Sequence, residues 1–293
     1  MNEWKITDVR VHPGDSAFLL DDGETAILYD SGFAFTGYRV AERIKAQLGN
    51  RPLNYIFLTH SHYDHAAGSP YVKRYWPQAT VVAGEYAAKI FAKPTAKAVM
   101  RELDAKVAKQ CGIEQYEDLF DELSVDLPVA DGDVIHAGKM DFVALNLPGH
   151  TKCSVGYYCP QRKLLLGSET LGVFDGERTV VPSYLVGYDM TVQSIRRVEE
   201  LEIGQILVPH LRLLNRDETV FYLKEGRKSA TETAEQIVRM LREGAPKNEI
   251  AEWFKHKFYH GYIQTIYPID AMELNTGIMI DLLQREFCTD SRR

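Results

Sequence analysis

The chain has 293 residues, 45% hydrophobic and 26% charged, and carries a net charge of −7 from 34 basic against 41 acidic side chains. That composition fits a globular protein with a sizeable core, and its acidic balance supplies no overall basic field for nucleic acid or an anionic membrane. No apolar run approaches the roughly 18 residues that span a bilayer, and the N-terminus lacks the basic start and apolar core of a secretory signal.

In chain order, the first elements read as a β-meander. Apolar runs over Ile6 to Val11, Ala17 to Leu20 and Thr25 to Tyr29 are separated by Pro13-Gly14-Asp15 and Asp21-Asp22-Gly23, both turn signals. Val40, Ile44 and Leu48 recur at helical spacing and predict a helix over Gly37 to Leu48. A strand over Asn54 to Leu58 follows, then a polar loop, a helix from about Ala66 to Tyr75, and a strand over Thr80 to Ala83. From Glu85 to Leu127 the pattern is helical, rich in Ala, Lys, Glu and Asp, and without clear strands; it reads as a helical insertion over about 85–127. β signals return from Val129, with strands expected at Asp141 to Leu145, Ser154 to Tyr158 and Lys163 to Leu166. A helix over Thr191 to Leu201 leads to the last clear strand, Gln205 to Val208.

After Asn215 the chain turns helical. Val220, Leu223, Ala230, Ala234, Ile237, Val238 and Leu241 form an apolar stripe that Gly244 can stop. Pro246 suits the first turn of a second helix carrying Ile250, Trp253 and Phe254. Met272, Leu274, Ile278, Leu282 and Leu283 suggest a third. All three stripes read as core packing. The four cysteines, Cys111, Cys153, Cys159 and Cys288, form no CxxC pair, which favours a reducing cytoplasm; Cys153 reads as a buried thiol rather than a ligand.

The chemistry is concentrated in Thr59-His60-Ser61-His62-Tyr63-Asp64-His65, directly after the strand Tyr55-Ile56-Phe57-Leu58. Three of the chain's nine histidines fall in this one loop. Residues two apart in an extended segment point the same way, so His60, His62 and Asp64 can face a common centre. His65 joins them if the chain turns, and Ala66-Ala67-Gly68 permits a tight turn. Imidazole nitrogen with carboxylate oxygen suits zinc, iron or manganese rather than calcium. Further candidate ligands follow three later strands: His150 in Leu147-Pro148-Gly149-His150-Thr151, Glu169 in Leu166-Gly167-Ser168-Glu169-Thr170, and His210 in Leu207-Val208-Pro209-His210. Functional loops gather at such strand ends.

This order of ligands, over about residues 5 to 212, resembles the metallo-β-lactamase superfamily. The resemblance implies an α/β chain folded as a four-layer αββα sandwich, with a metal-binding domain over 1–214 and a helical extension over 215–293 that covers or flanks the site. It implies two divalent ions, zinc first and iron or manganese as alternatives. One ion would take His60, His62 and His150; the other would take Asp64, His65 and His210; Glu169 stands where the family bridges both. That position is normally Asp, and Pro209 stands where Gly usually precedes the last histidine. Asp30, in Tyr29-Asp30-Ser31-Gly32, matches a carboxylate that orients a ligand histidine. A looser similarity, to thioesterase-like members involved in quinolone signalling, rests on the insertion, the C-terminal helices and the segment from Glu169 to Asp175.

The implied reaction is hydrolysis of a small-molecule ester, thioester or lactone by a hydroxide shared between the ions, with Asp64 as the catalytic carboxylate. Phe174, Tyr184 and Tyr188 are candidate pocket residues. His256 and His260 are weaker candidates, and His12 and His136 read as structural or surface residues. Competing readings are a phosphodiesterase, an iron-dependent oxidoreductase of the sulfur dioxygenase type, and a regulatory or partner-binding protein with a structural metal. No nucleic-acid or membrane partner is expected, and exposed faces of the C-terminal helices could support a homodimer.

Overall fold

The computed structural model describes residues 4–288. The elements in chain order are β1 (Lys5–Asp8), β2 (Phe18–Asp21), β3 (Ala26–Tyr29), α1 (Gly37–Leu48), β4 (Tyr55–Phe57), α2 (Tyr63–Ala66), α3 (Ser69–Tyr75), β5 (Thr80–Gly84), α4 (Glu85–Phe91) and α5 (Pro94–Gln110). There follow β6 (Leu127–Val129), β7 (Val134–Ala137), β8 (Met140–Asn146), β9 (Val155–Cys159), β10 (Leu164–Leu166), β11 (Val173–Phe174), β12 (Val180–Val181), α6 (Tyr188–Glu199), β13 (Gln205–Leu207) and β14 (Leu213–Leu214). The chain then runs through α7 (Arg216–Arg242), α8 (Lys247–Phe258), α9 (Tyr262–Ile266) and α10 (Ile269–Phe287). The α/β class expected from the sequence is the one found. No helix among the described residues is long and apolar enough to cross a membrane.

The chain forms two compact units. One comprises the residues up to Asn146 together with Cys153–Gly167; the other comprises Leu147–Lys152 and the residues from Ser168 onward. In the first unit, β1 to β6 make one sheet in sequence order. β1, β2 and β3 pair antiparallel, and β3 to β6 pair parallel. The parallel strands need crossover connections, which α1, α3 and the α4–α5 segment provide. Val40, Ala41, Ile44 and Leu48 of α1 and Tyr71 and Val72 of α3 pack in one buried cluster with Leu28, Ile56 and Val81 of the sheet. β7 to β10 pair as an antiparallel meander. The two sheets meet through Phe57, whose ring lies 4.6 Å from Tyr157 and 5.4 Å from Phe142. The Tyr157 hydroxyl donates to the Leu58 carbonyl at 2.8 Å, at the threshold of the histidine loop.

In the second unit α7 is the longest helix. Asn215 and Glu218 close a capping box at its start, and its Tyr222 and Ser229 hydroxyls donate to the carbonyls of Gly172 and Val180. The buried stripe contains Leu223, Ala230, Ala234 and Ile237 as expected, but Val220 is 60% exposed and in α10 Leu274 is 54% exposed. Apolar spacing alone does not distinguish the edge of a helix stripe from its centre.

Several local expectations are revised. The helix expected from Ala66 breaks into α2 and α3 at Gly68, where an added Cβ would lie 2.0 Å from the Ser31 carbonyl oxygen. That approach admits only glycine. The insertion is helical only to Gln110, because Gly112 at φ 77° ends α5. The rest is irregular apart from one 3-10 turn at Phe120–Glu122, and its end at Leu127–Val129 is the sheet strand β6. Gln205–Leu207 is followed by one more short strand, β14.

Candidate metal centre

The first unit presents the histidine loop. It leaves β4, runs extended through His62 (φ −74°, ψ 150°) and turns into α2 at Tyr63, so His65 points back toward the loop that precedes it. The turn is tied down from outside: the Ser31 amide and hydroxyl both donate to the His65 carbonyl, at 2.6 and 2.9 Å, and the Ser16 amide donates to the Asp64 carbonyl at 3.1 Å.

Beneath the loop lies Asp30, fully buried and in the left-handed region at φ 52°, which Asp tolerates better than most residues. Its Oδ1 accepts from the Thr59 amide at 2.8 Å, and its Oδ2 accepts from the Ser16 hydroxyl at 2.7 Å and from His65 Nδ1 at 2.8 Å. The Thr59 hydroxyl donates to the same carboxylate. Its one proton is thereby spent, so across the 3.0 Å contact with His60 Nδ1 it can only accept. Both imidazoles therefore carry their proton on Nδ1, which leaves Nε2 with a lone pair to offer a cation. The Nε2 of His65 lies 3.7 Å from Asp64 Oδ2, and the His60 and His62 rings are 4.5 Å apart.

The second unit presents His150, Glu169 and His210. The His150 loop is shaped by Gly149 at φ 143°, whose carbonyl accepts from the amides of Leu185 and Val186. His150 Nδ1 faces the Ser183 carbonyl at 3.1 Å and the Ser183 hydroxyl at 2.7 Å. A carbonyl only accepts, so this imidazole too is protonated on Nδ1. Glu169, 2% exposed, begins a 3-10 turn capped by the Ser168 hydroxyl, which accepts from the Thr170 amide. Its Oε2 lies 2.9 Å from His150 Nε2, and its Oε1 lies 3.4 Å from His210 Nε2. A neutral imidazole that is protonated on Nδ1 turns its Nε2 lone pair toward this carboxylate. Two acceptors at 2.9 Å repel unless a proton or a metal cation lies between them. His210 follows Pro209 in the left-handed region at φ 61°, a conformation that costs a non-glycine residue roughly 1–2 kcal/mol.

The candidate metal ligands are thus His60, His62, Asp64 and His65 in the first unit and His150, Glu169 and His210 in the second. The donor set of imidazole nitrogen and carboxylate oxygen fits zinc and its transition-metal neighbours.

The other expected site residues fare differently. Phe174 and Tyr184 are buried inside the second unit, Phe174 stacking on Tyr222 at 5.4 Å and Tyr184 packing edge-on to Tyr188 at 5.6 Å. Neither exposes enough surface to line an open pocket. Tyr188 is half-buried and also packs on Phe287. His256 and His260 are exposed on and just after α8. His12 packs on Phe33 and Phe35, and burial lowers its pKa against the opposing pull of Asp15; His136 pairs with Asp141 on the surface.

Four contributors to the site have no counterpart among the residues singled out from sequence. They are Thr59 and Ser183, which orient imidazoles, and Tyr262 and Tyr267 at the two ends of α9. Thr59 adjoins the histidine loop, and that adjacency is a usable signal. The other three lie 33 to 98 residues from the groups they touch, with no local signal.

A sequence profile of the Metallo-beta-lactamase superfamily matches residues 13–210. Hydroxyacylglutathione hydrolase of Legionella pneumophila (strain Corby) is 27% identical over 137 residues, covering 45% of this chain and 41% of that enzyme. The chain thus matches under half the length of this curated relative. Among solved structures, a metallo-beta-lactamase family protein from Thermus thermophilus superposes with a TM-score of 0.62 at 17% identity, covering 92% of this chain and 88% of that one. An archaeal metallo-beta-lactamase superfamily protein from Sulfolobus tokodaii gives a TM-score of 0.56 at 18% identity, covering 74% of this chain and 80% of that one. At such identities these structures speak for the fold alone, and it is the α/β fold with C-terminal helices described above.

Proposed function

The chain belongs to the metallo-beta-lactamase superfamily, and on that premise we propose that it is a hydrolase working with two divalent metal ions on a small-molecule ester, thioester or lactone. His60, His62, His150 and Glu169 would hold one ion, and Asp64, His65 and His210 the other. The observation that carries this reading is the common setting of His60, His65 and His150, each of which turns Nδ1 to a fixed protein oxygen. Each is protonated on Nδ1 by its contact with Thr59, Asp30 or Ser183, which reserves Nε2 for a cation. Zinc is the first choice of metal, since imidazole and carboxylate donors are its usual nitrogen and oxygen ligands.

A pair of such ions, when bound, supplies a nucleophilic water at neutral pH and polarises the scissile carbonyl. The protein's share is orientation and proton handling. Asp30, Thr59 and Ser183 hold imidazole planes and tautomers, a function that outer partners commonly serve around metals. Asp64, with its side chain 22% exposed beside the fully buried His65, is the carboxylate within the loop that solvent reaches, and it would accept a hydrogen bond from the attacking water and so orient it. Among the three substrate classes the thioester has the most support, because the curated relative is a hydroxyacylglutathione hydrolase and an acylated glutathione is a thioester. A reducing cytoplasm fits the four free thiols.

Turnover of an ester, thioester and lactone panel by the zinc-loaded protein tests the proposal. Activity is expected to be lost on chelation, restored by Zn²⁺, and reduced by at least about 100-fold in His62→Ala. Turnover that persists undiminished in His62→Ala would sink the metal-hydrolase reading. Oxygen consumption with a persulfide would move the assignment to an oxidoreductase.

A further inference from the structure

The end of the chain reaches two of the candidate ligands. α9 is anchored by Ile263 and Ile266, both buried. At its start, the Tyr262 hydroxyl donates to the His210 carbonyl. At its end, the Tyr267 hydroxyl donates to Glu169 Oε1 at 3.1 Å. The backbone from which Tyr267 projects is itself held, because the Tyr259 hydroxyl donates to its carbonyl at 3.0 Å. All of these residues belong to the second unit.

We propose that Tyr267 is a positioning residue for Glu169 and Tyr262 one for His210, so that the C-terminal helical segment sets two of the metal ligands. The inference rests on the two-ion reading above and deepens it. Glutamate has one more rotatable bond than the aspartate usual at the bridging position, and its terminal torsion is broad. Unrestrained, its carboxylate plane turns over a wide range. Here Oε2 faces His150 while Oε1 faces His210 and accepts from Tyr267. The phenol therefore fixes the plane of the carboxylate, in which one oxygen faces each histidine, and it does so without bringing a positive charge that would compete with a cation. Tyr262 acts on the other ligand through its backbone. His210 sits in a costly left-handed conformation, and a hydrogen bond to its carbonyl holds the turn that aims the ring.

The test uses metal-free full-length protein, unaltered and as Tyr267→Phe, Tyr262→Phe, Glu169→Asp and Glu169→Asp/Tyr267→Phe. Each is titrated with Co²⁺, followed by its d–d absorption, and with Zn²⁺ against a chromophoric chelator. Circular dichroism and thermal unfolding of the metal-free proteins report the fold. Tyr267→Phe is expected to fold like the parent, to bind metal about tenfold more weakly, and to show a changed Co²⁺ spectrum. Its kcat should fall while KM stays nearly constant. In the Glu169→Asp background, where the shorter carboxylate draws back from the phenol, adding Tyr267→Phe should change nothing further. Tyr262→Phe should weaken one of the two binding steps and leave the other. Should Tyr267→Phe not fold, the Tyr262→Phe titration decides.

Titrations and spectra that match the parent in both single Tyr variants overturn the proposal, as does a Tyr267→Phe effect of equal size in both Glu169 backgrounds. If the parent binds two ions but hydrolyses nothing on the panel, the hydrolase reading falls and the positioning roles stand. If the parent binds no ion, both fall.

Discussion

Asp30 shows how one residue can organise a site it does not belong to. Both its oxygens are committed, one to Thr59 and the other to Ser16 and His65, and a carboxylate is the only side chain of that length that accepts on both sides. In Asp30→Asn, the amide NH₂ must face either the Thr59 amide or His65 Nδ1, and both are donors. If it faces His65, the imidazole is driven to the other tautomer and Nε2 is no longer available. We expect Asp30→Asn to lower metal affinity by about 10- to 100-fold, read by competition with a chelator. Unchanged affinity would mean that Asp30 serves only the backbone of the loop. The same scale separates what is visible in the sequence from what is not. His60, His62, Asp64 and His65 declare themselves because four donors in one loop are improbable by chance. Tyr262 and Tyr267 do not, because an isolated tyrosine after a helix carries no pattern.

Among the elements, α5 makes the clearest case for a residue whose role depends on packing. Its Asp104 is fully buried and accepts from the Ala34 amide at 2.8 Å and the Tyr116 hydroxyl at 2.6 Å. It thereby ties the insertion to the loop containing Phe33, whose ring packs 5.6 Å from Tyr63 at the start of α2. Burial raises the Asp104 pKa to about 7, against hydrogen bonds that favour its charged form. A carboxyl with a raised folded-state pKa holds its proton more tightly in the folded chain than in the unfolded one. Its contribution to stability is therefore most favourable below the ordinary value of 3.8, declines as pH rises toward about 7, and is constant above. Asp104→Asn removes that titration. Its stability relative to the parent should climb between about pH 4 and pH 7, in denaturant midpoints measured across that range; a pH-independent difference would refute the shift. The apolar spacing of α1, α6 and α7 is readable, since periodicity is a local property. The break at Gly68 and the irregular stretch after Gly112 are not, because the first is imposed by the distant Ser31 carbonyl and the second by a chain that turns to join the sheet as β6.

For the whole molecule, the proposed ions are also stability reagents. A ligand that binds only the folded chain stabilises it by RT ln(1 + [L]/Kd), about 2.7 kcal/mol for one site at a hundredfold excess over Kd. Two sites filled by Zn²⁺ should raise the melting temperature by several degrees, and a strong chelator should reverse the rise. A melting curve indifferent to both would argue against resident metal.

By itself, the sequence determined the α/β class, the chain order of the candidate ligands, and membership of a metal-binding superfamily, since each of these is written in local runs and short motifs. Only the tertiary structure decided which nitrogen of His60, His65 and His150 carries the proton, that Phe174 and Tyr184 are packed inside rather than open to a pocket, and that two tyrosines near the end of the chain reach Glu169 and His210. Those outcomes depend on hydrogen bonds and contacts between residues up to 98 positions apart, and no spacing rule along a single segment encodes such a meeting.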